Sequence, residues 1–346
     1  MAGTVALVGA LHPAARALAL RLEDDPSVER VLGLSGYEPP LLGPKFEFVH
    51  ATPGSERFAA ALASADAVVL FPPVEMAERD PANDPAGVED ATEQTLRAAS
   101  KASTLVLWSS GVVYGAHPDN PVPIPETQPV SPNEDFAAAG ALAQAEQAVL
   151  GAAERNGRPT VTVLRAGAIW APAWGTFLAR ALQAPAILAV RGYDPPVQAL
   201  DPRDAVEALV LAVRGALPGT YNVAPADWMP AKEAARTAGR RRVELSERLA
   251  FTTAERLGRL GISSASPGEL RCHMHPWVLD SSRLRAAGWT PRSTTAAALA
   301  DAARARTDDV GIGGVQVRRS DLYKGAAAGV AVVATLALVR RQARRR

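Results

Sequence analysis

Apolar residues in this chain gather into short continuous runs, and the stretches between them carry helical spacing. The runs are Thr4–Val8, VERVLGLS, KFEFVHA, DAVVLFPP, TLVLW and PTVTVLRAGAI. Runs this short and this uniformly apolar predict strands buried in a sheet, not helices. Between them, PAARALALRL, SERFAAALASA, GVEDATEQTLRAASKAS and the alanine-rich stretch after Pro132 predict helices. Regular strand–helix alternation predicts an α/β fold, a doubly wound parallel Rossmann-type sheet. After Ala168 the pattern loosens into short strands mixed with helices, which predicts a smaller C-terminal lobe.

The expected organisation is therefore a sheet domain over residues 1–168 and a lobe over 169–310, parts of 190–225 returning to the sheet. A glycine- and charge-rich linker over 311–324 follows, then an extra C-terminal helix over 325–346, apolar over Gly325–Val339 and ending in RRQARRR. That apolar stretch would be about 22 Å long as a helix, short of the ~30 Å hydrocarbon core of a bilayer. A helix on a membrane surface, or one docked on protein, fits better than a span.

Charge and cysteine content narrow the picture slightly. Lys and Arg total 37 against 36 Asp and Glu, so net charge offers no argument for nucleic acid. The single cysteine, Cys272, excludes an intramolecular disulfide framework. The N-terminus lacks a secretory pattern, and a cytoplasmic protein is expected. Cys272, His273 and His275 in RCHMHPW include metal-ligating types, but no further ligand cluster accompanies them, and no metal is expected.

The first strand leads through Gly9 into a helix opening at Pro13, the start of a dinucleotide-binding unit. The stretch from Thr104 to Leu150 is the centre of the chain: a buried strand, a small-residue exit at Ser109-Ser110-Gly111, a proline-rich loop and a helix. Open α/β sheets place their chemistry at such strand ends.

Taken in order, LVLWSSGVVYG, SPNEDFAAAGALAQAE, VTVLRAGAIWAP, VQALDPRDAVEAL, GTYNVA and DSSRLRAAGWTPR resemble the extended short-chain dehydrogenase/reductase family, its NAD-dependent epimerase/dehydratase group. The resemblance spans about residues 3–305. It implies NAD or NADP as cofactor, a nucleotide, nucleotide-sugar or protein partner in the inherited cleft, and a homodimer.

The resemblance also implies a serine, a tyrosine and a lysine four residues after the tyrosine. A phenol acts as a base near neutral pH only where a nearby cation favours the phenolate. Ser110 stands at the serine position, but Phe136 and Gly140 stand where the tyrosine and lysine belong. No tyrosine in the chain has a lysine four residues later. Tyr114 keeps a phenol near the site, and Tyr114 or a side chain of the substrate lobe is the candidate for a rearranged acid–base group.

In the cofactor turn, Gly9, His12 and Ala15 occupy the three glycine positions. Close approach of a pyrophosphate needs the middle one bare, and His12 is expected to be a surface turn residue or a phosphate contact. Ser35 stands where an acid would hold the ribose, and Pro72 where a small residue faces the cofactor. Asp201 and Asp204 are expected to cap a helix, and Glu126 to be structural. The expectation is a noncatalytic or altered family member. The alternatives are an active oxidoreductase or epimerase with a rearranged acid–base group, and a membrane-surface scaffold acting through 325–346.

Overall fold

The computed structural model describes residues 3–39, 42–72, 86–156, 158–174, 176, 179, 186–215, 217–259 and 267–305, together with the backbone of 309–312 and 315–318. Pro73 and the stretch 325–346 lie outside the described residues. The sheet domain runs β1 (Thr4–Val8), α1 (Pro13–Glu23), β2 (Arg30–Ser35), β3 (Phe46–His50), α2 (Glu56–Ala63), β4 (Ala67–Leu70), α3 (Ala86–Ala98), β5 (Thr104–Ser110), α4 (Ala137–Asn156) and β6 (Thr160–Ala166). The lobe adds β7 (Ala186–Val190), β8 (Pro196–Val197), α5 (Pro202–Arg214), β9 (Gly219–Val223), β10 (Met229–Pro230), α6 (Ala231–Thr237), β11 (Arg241–Leu245), α7 (Glu247–Arg259), α8 (Pro267–Arg271), α9 (Ser282–Ala286) and α10 (Thr295–Arg304). At the start of the stretch expected to be a linker, β12 (Asp309–Ile312) pairs antiparallel with β13 (Val315–Arg318).

Seven strands form one sheet in the order β3-β2-β1-β4-β5-β6-β9, and every neighbouring pair is parallel. Parallel strands need crossover helices on both faces, which is why β4 and most of β5 are buried along their length. On one face α1 packs with α5, over a core that includes Leu18, Leu22, Val69, Val106, Leu164 and Leu209. On the other face α2, α3 and α4 succeed one another, over Leu62, Val68, Leu105, Leu107, Ala145 and Val163. The strand order reverses between β1 and β4, so the crevice for a ligand lies outside the carboxyl ends of these strands.

Local signals fix the helix starts. Asp201 caps α5 by accepting from Arg203 N at 2.7 Å, and Ser55 caps α2 through Phe58 N. Asp204 departs from the expected capping role. Its two oxygens accept from Arg292 N and Ser293 N, both at 3.0 Å, tying the chain before α10 to α5.

The lobe is built from two small pairings, β7 with β11 and β8 with β10, and a core of its own at Val190, Ala250, Leu270 and Met274. A bridge from Ile124 to Leu279 joins it to the sheet domain, and a second pairs Ile169 with Leu200.

Candidate functional site

β5 ends at Ser110, which turns the chain into a single helical turn, Gly111–Tyr114. Ser110 Oγ accepts from Val112 N at 3.4 Å, and the residue is half-buried. Gly111 is needed here because a Cβ would come within 2.8 Å of Leu279 Cδ1. Gly115 then reverses the chain at φ +70°. This exit puts the Tyr114 side chain beneath the sheet's edge with no exposed surface.

Parallel strands in register place one row of side chains on one face. Ser109 on β5 stands opposite Arg165 on β6, and Arg165 opposite Asn222 on β9. Into this row come Tyr114 and, from α4, Glu146. Glu146 accepts from Ser109 Oγ at 2.5 Å and from Arg165 Nη2 at 2.6 Å. Arg165 Nη1 donates to the Tyr114 hydroxyl at 2.7 Å, with the guanidinium also lying 4.6 Å from the tyrosine ring centroid. The Tyr114 hydroxyl donates to Asn222 Oδ1 at 3.0 Å. Asn222 is held in turn through its own N–H to Glu126 and its amide group to the carbonyls of Ile124 and Asp280.

The electrostatics follow from burial. Arg165 and Glu146 are 6% and 2% exposed. Burial pulls against the Arg165 charge, but the Glu146 carboxylate outweighs it and holds the guanidinium charged. Burial pushes the Tyr114 phenol above its ordinary value, and the neighbouring Arg165 offsets only part of that rise. A phenol so enclosed, with its proton given to Asn222, is not placed to exchange protons with a ligand.

Phe136 and Gly140 occupy opposite environments. Phe136 is 8% exposed and sits in the core beneath α8. A Cβ on Gly268 would meet Phe136 Cβ at 2.4 Å, so that glycine is what lets α8 lie across the start of α4. Arg271 at the end of α8 reaches Asp135 at 3.3 Å on the same side. Gly140, one turn further along α4, has nothing within 4 Å of a Cβ.

The turn after β1, where the resemblance expects a cofactor, is closed upon itself. Gly9 adopts φ +84°, with Phe71 O at 2.4 Å from where a Cβ would be. Gly9 N and Ala10 N donate to Leu34 O, and His12 N to Gly9 O. His12 is 4% exposed, which corrects the expectation of a surface turn residue. It stacks on Phe71 at 5.3 Å and is the N-cap of α1, its Nδ1 accepting from Ala14 N at 3.1 Å. The ring fills the turn because the chain packs it against β4. Ala15 is fully buried. Ser35 is engaged with the backbone of Tyr37 through its hydroxyl, and Pro72 is buried.

Comparison with known proteins meets this geometry at the level of fold. No protein-family model matches the chain, and no curated protein sequence does. Solved structures do. A UDP-glucose 4-epimerase from Thermotoga maritima with UDP-glucose matches at TM-score 0.67 and 15% identity, over 87% of this chain and 98% of that one. A UDP-glucose 4-epimerase from Thermus thermophilus with NAD matches at TM-score 0.65 and 19% identity, over 88% and 100%. A dTDP-glucose 4,6-dehydratase from Streptomyces venezuelae with NAD matches at TM-score 0.64 and 17% identity, over 87% and 96%.

The fold is that of the sugar-nucleotide epimerases and dehydratases. Within it, the lobe holds a cavity walled by Trp170, Ile187, Pro196, Gln198, His273 and Trp277, with Arg242 at its side. Most of the polar groups here already have partners. Trp170 Nε1 donates to Gln198 O and Trp277 Nε1 to Cys272 O. The Gln198 amide binds Pro225 O, Leu279 O and Leu279 N. Arg242 is paired with Asp194 at 3.1 Å. His273 differs: the residue is half-buried, and its ring makes no hydrogen bond to another described residue. Burial pushes its pKa down to about 4.

Cys272 is buried, with its thiol pushed up by burial. His275 turns to Tyr193, edge to face at 5.5 Å. Among the described residues no group of three His, Cys, Asp or Glu could hold a metal ion.

Sequence reasoning reached Ser110, Tyr114, Phe136 and Gly140 but missed Arg165, Glu146, Ser109 and Asn222. One signal was available, a single arginine inside the apolar run VTVLRAGAI. A charge inside a buried strand requires a buried partner.

Proposed function

We propose that the chain is a ligand-binding protein on the epimerase and dehydratase scaffold that performs no hydride transfer between a nicotinamide and a sugar. The observation that carries this reading is the state of Tyr114. With Phe136 and Gly140 at the dyad positions, it is the phenol left beside Ser110, and Arg165 and Asn222 hold it inside the protein. The closed cofactor turn supports the same reading. Pro13 offers no amide, and His12 takes the Ala14 amide that a helix start would present to a phosphate. These residues do not fit a dinucleotide pyrophosphate.

Titration of the full chain with NAD and NADP, followed by melting temperature, tests it. A ligand that binds only the folded state at a hundred times its Kd stabilises by about 2.7 kcal/mol, a shift that cannot be overlooked. We expect none at millimolar cofactor, and a saturable rise would restore a cofactor-dependent role. The nucleotide sugar carried by the Thermotoga maritima structure is the first alternative ligand for the same assay.

One observation favours a second reading, an active enzyme with a rearranged acid–base group. Ser110 Oγ makes only a long bond to its own turn. Turnover of a sugar nucleotide that disappears in Ser110→Ala would establish it.

No helix among the described residues is long and apolar enough to cross a membrane. We place the protein in the cytoplasm. Loss of membrane association on removing 325–346 would show peripheral contact through that stretch.

A further inference from the structure

We propose that residues 325–339 dock as a helix in the groove between α3 and α4, on the outside of the sheet domain. The inference goes beyond ligand binding and concerns a different part of the fold from the strand ends.

The groove runs from Glu89 to Ser100 along α3 and its last turn, and from Gln144 to Arg155 along α4. At 1.5 Å per residue each wall is roughly 16 Å long. About 700 Å³ between them is open to water-sized groups. The floor is apolar: Leu96, Ala148, Ala152 and Ala153 are only half-buried there, beside Val161 near the start of β6. Half-buried apolar side chains between two helices are surface that a third helix can cover.

The sequence supplies such a helix. At about 100° per residue, Gly325, Gly329, Val332, Val333, Leu336 and Val339 fall on one face about 120° wide, and every alanine of 325–339 falls outside it. Bulk on one face and mainly alanine on the rest suits burial on one side, against protein. Gly329 and the alanines of α4 also let the two backbones come close.

The segment can reach the groove. α10 shares its core with α3 and α4, through Leu299 and Ala302 on one side and Val88 and Leu142 on the other. With Asp309 paired to Arg318, the links 305–309 and 318–325 span on the order of 40 Å when extended, comparable with the width of the domain. A tethered segment meets its groove at an effective concentration of the order of millimolar, well above that of a second copy at micromolar protein.

Charge sets the direction. Glu89 stands at one end of the groove, and Arg155 and Arg158 at the other, while Glu93 and Arg97 pair with each other at 2.7 Å. A helix running antiparallel to α3 and α4 brings RRQARRR toward Glu89 and Asp321 toward Arg155 and Arg158. Exposed pairs of this kind orient more than they bind. The apolar face carries the docking.

Thiol labelling tests it. Cys272 is buried, so Ala148→Cys gives the full chain one accessible thiol, on the groove floor. Its reaction with a maleimide is expected to be about tenfold slower with the natural tail than with Leu336→Asp, which puts a charge on the docking face. Ala334→Asp, on the alanine face, is expected to leave the reaction slow. Fast labelling with the natural tail, the result for a tail held elsewhere by a membrane or another protein, would overturn the proposal. Slow labelling that Leu336→Asp leaves unchanged would also overturn it, and its loss on dilution would assign the groove to a second copy. Equal acceleration by Leu336→Asp and Ala334→Asp would reject a docking face. If Ala148→Cys does not fold, Ala152→Cys on the same wall gives the same readings. None of these outcomes bears on the NAD titration.

Discussion

Two regions of this protein treat their polar side chains in opposite ways. At the carboxyl ends of β5, β6 and β9, Ser109, Glu146, Arg165, Tyr114 and Asn222 form a closed set in which every group bonds another. In the lobe cavity the indoles, Gln198 and Arg242 are engaged, and the half-buried imidazole of His273 makes no hydrogen bond to a described residue. A polar group partly in water keeps solvent as a partner, whereas a buried group that loses its partner costs on the order of 1–3 kcal/mol. The set at the strand ends therefore depends on its own members.

The largest expected effect comes from breaking the closed set. Arg165→Leu strands Glu146 at 2% exposure, and losing one partner of a buried pair costs about 3–5 kcal/mol. Denaturant unfolding measures this. A loss under about 1 kcal/mol would mean that water reaches the pair.

Tyr114→Phe removes the hydroxyl between Arg165 and Asn222 and is expected to cost about 1–3 kcal/mol in the same assay. Turnover of sugar nucleotides with NAD, absent before the change, should be absent after it.

The His273 imidazole gives an effect with a definite sign. Folded, His273 stays neutral down to about pH 4, while the unfolded chain takes up that proton below its ordinary value of 6.5. The unfolded state binds more protons over that window, so stability falls as pH drops from about 6.5 to about 4. His273→Gln should flatten this part of the melting profile relative to the unaltered protein. An unchanged slope would mean that the ring is solvated.

The smallest effect separates α4 from the site. Gly140 lies in the first turn of α4 with open space beyond its Cβ position, so Gly140→Ala should stabilise by roughly 0.4–1 kcal/mol, chiefly by restricting the unfolded chain. Destabilisation would show that the position is packed after all.

How much of this was legible in the sequence depends on the range of the interactions. Strand runs and helical spacing are local, and Thr4–Val8 or Thr104–Ser110 could be read from their own residues. The missing dyad was legible too, since it is a fact about residue types. The row of Ser109, Arg165 and Asn222 was not, because it exists only once the order β5-β6-β9 is set. Glu146 reads as one more polar residue on a helix until Arg165 faces it. His12 looked like a loop residue because histidine is an uncommon cap, and its burial depends on Phe71 of a distant strand end. The cavity draws Trp170, His273 and Trp277 from segments a hundred residues apart, and no spacing announces it.

The most direct test of the central claim is to incubate the full chain with NAD and UDP-glucose and separate the sugar nucleotides by chromatography. With the Tyr114 phenol sealed inside the protein, UDP-glucose should be recovered unchanged at any enzyme concentration. Its conversion to another sugar nucleotide, abolished by Ser110→Ala, would contradict the account.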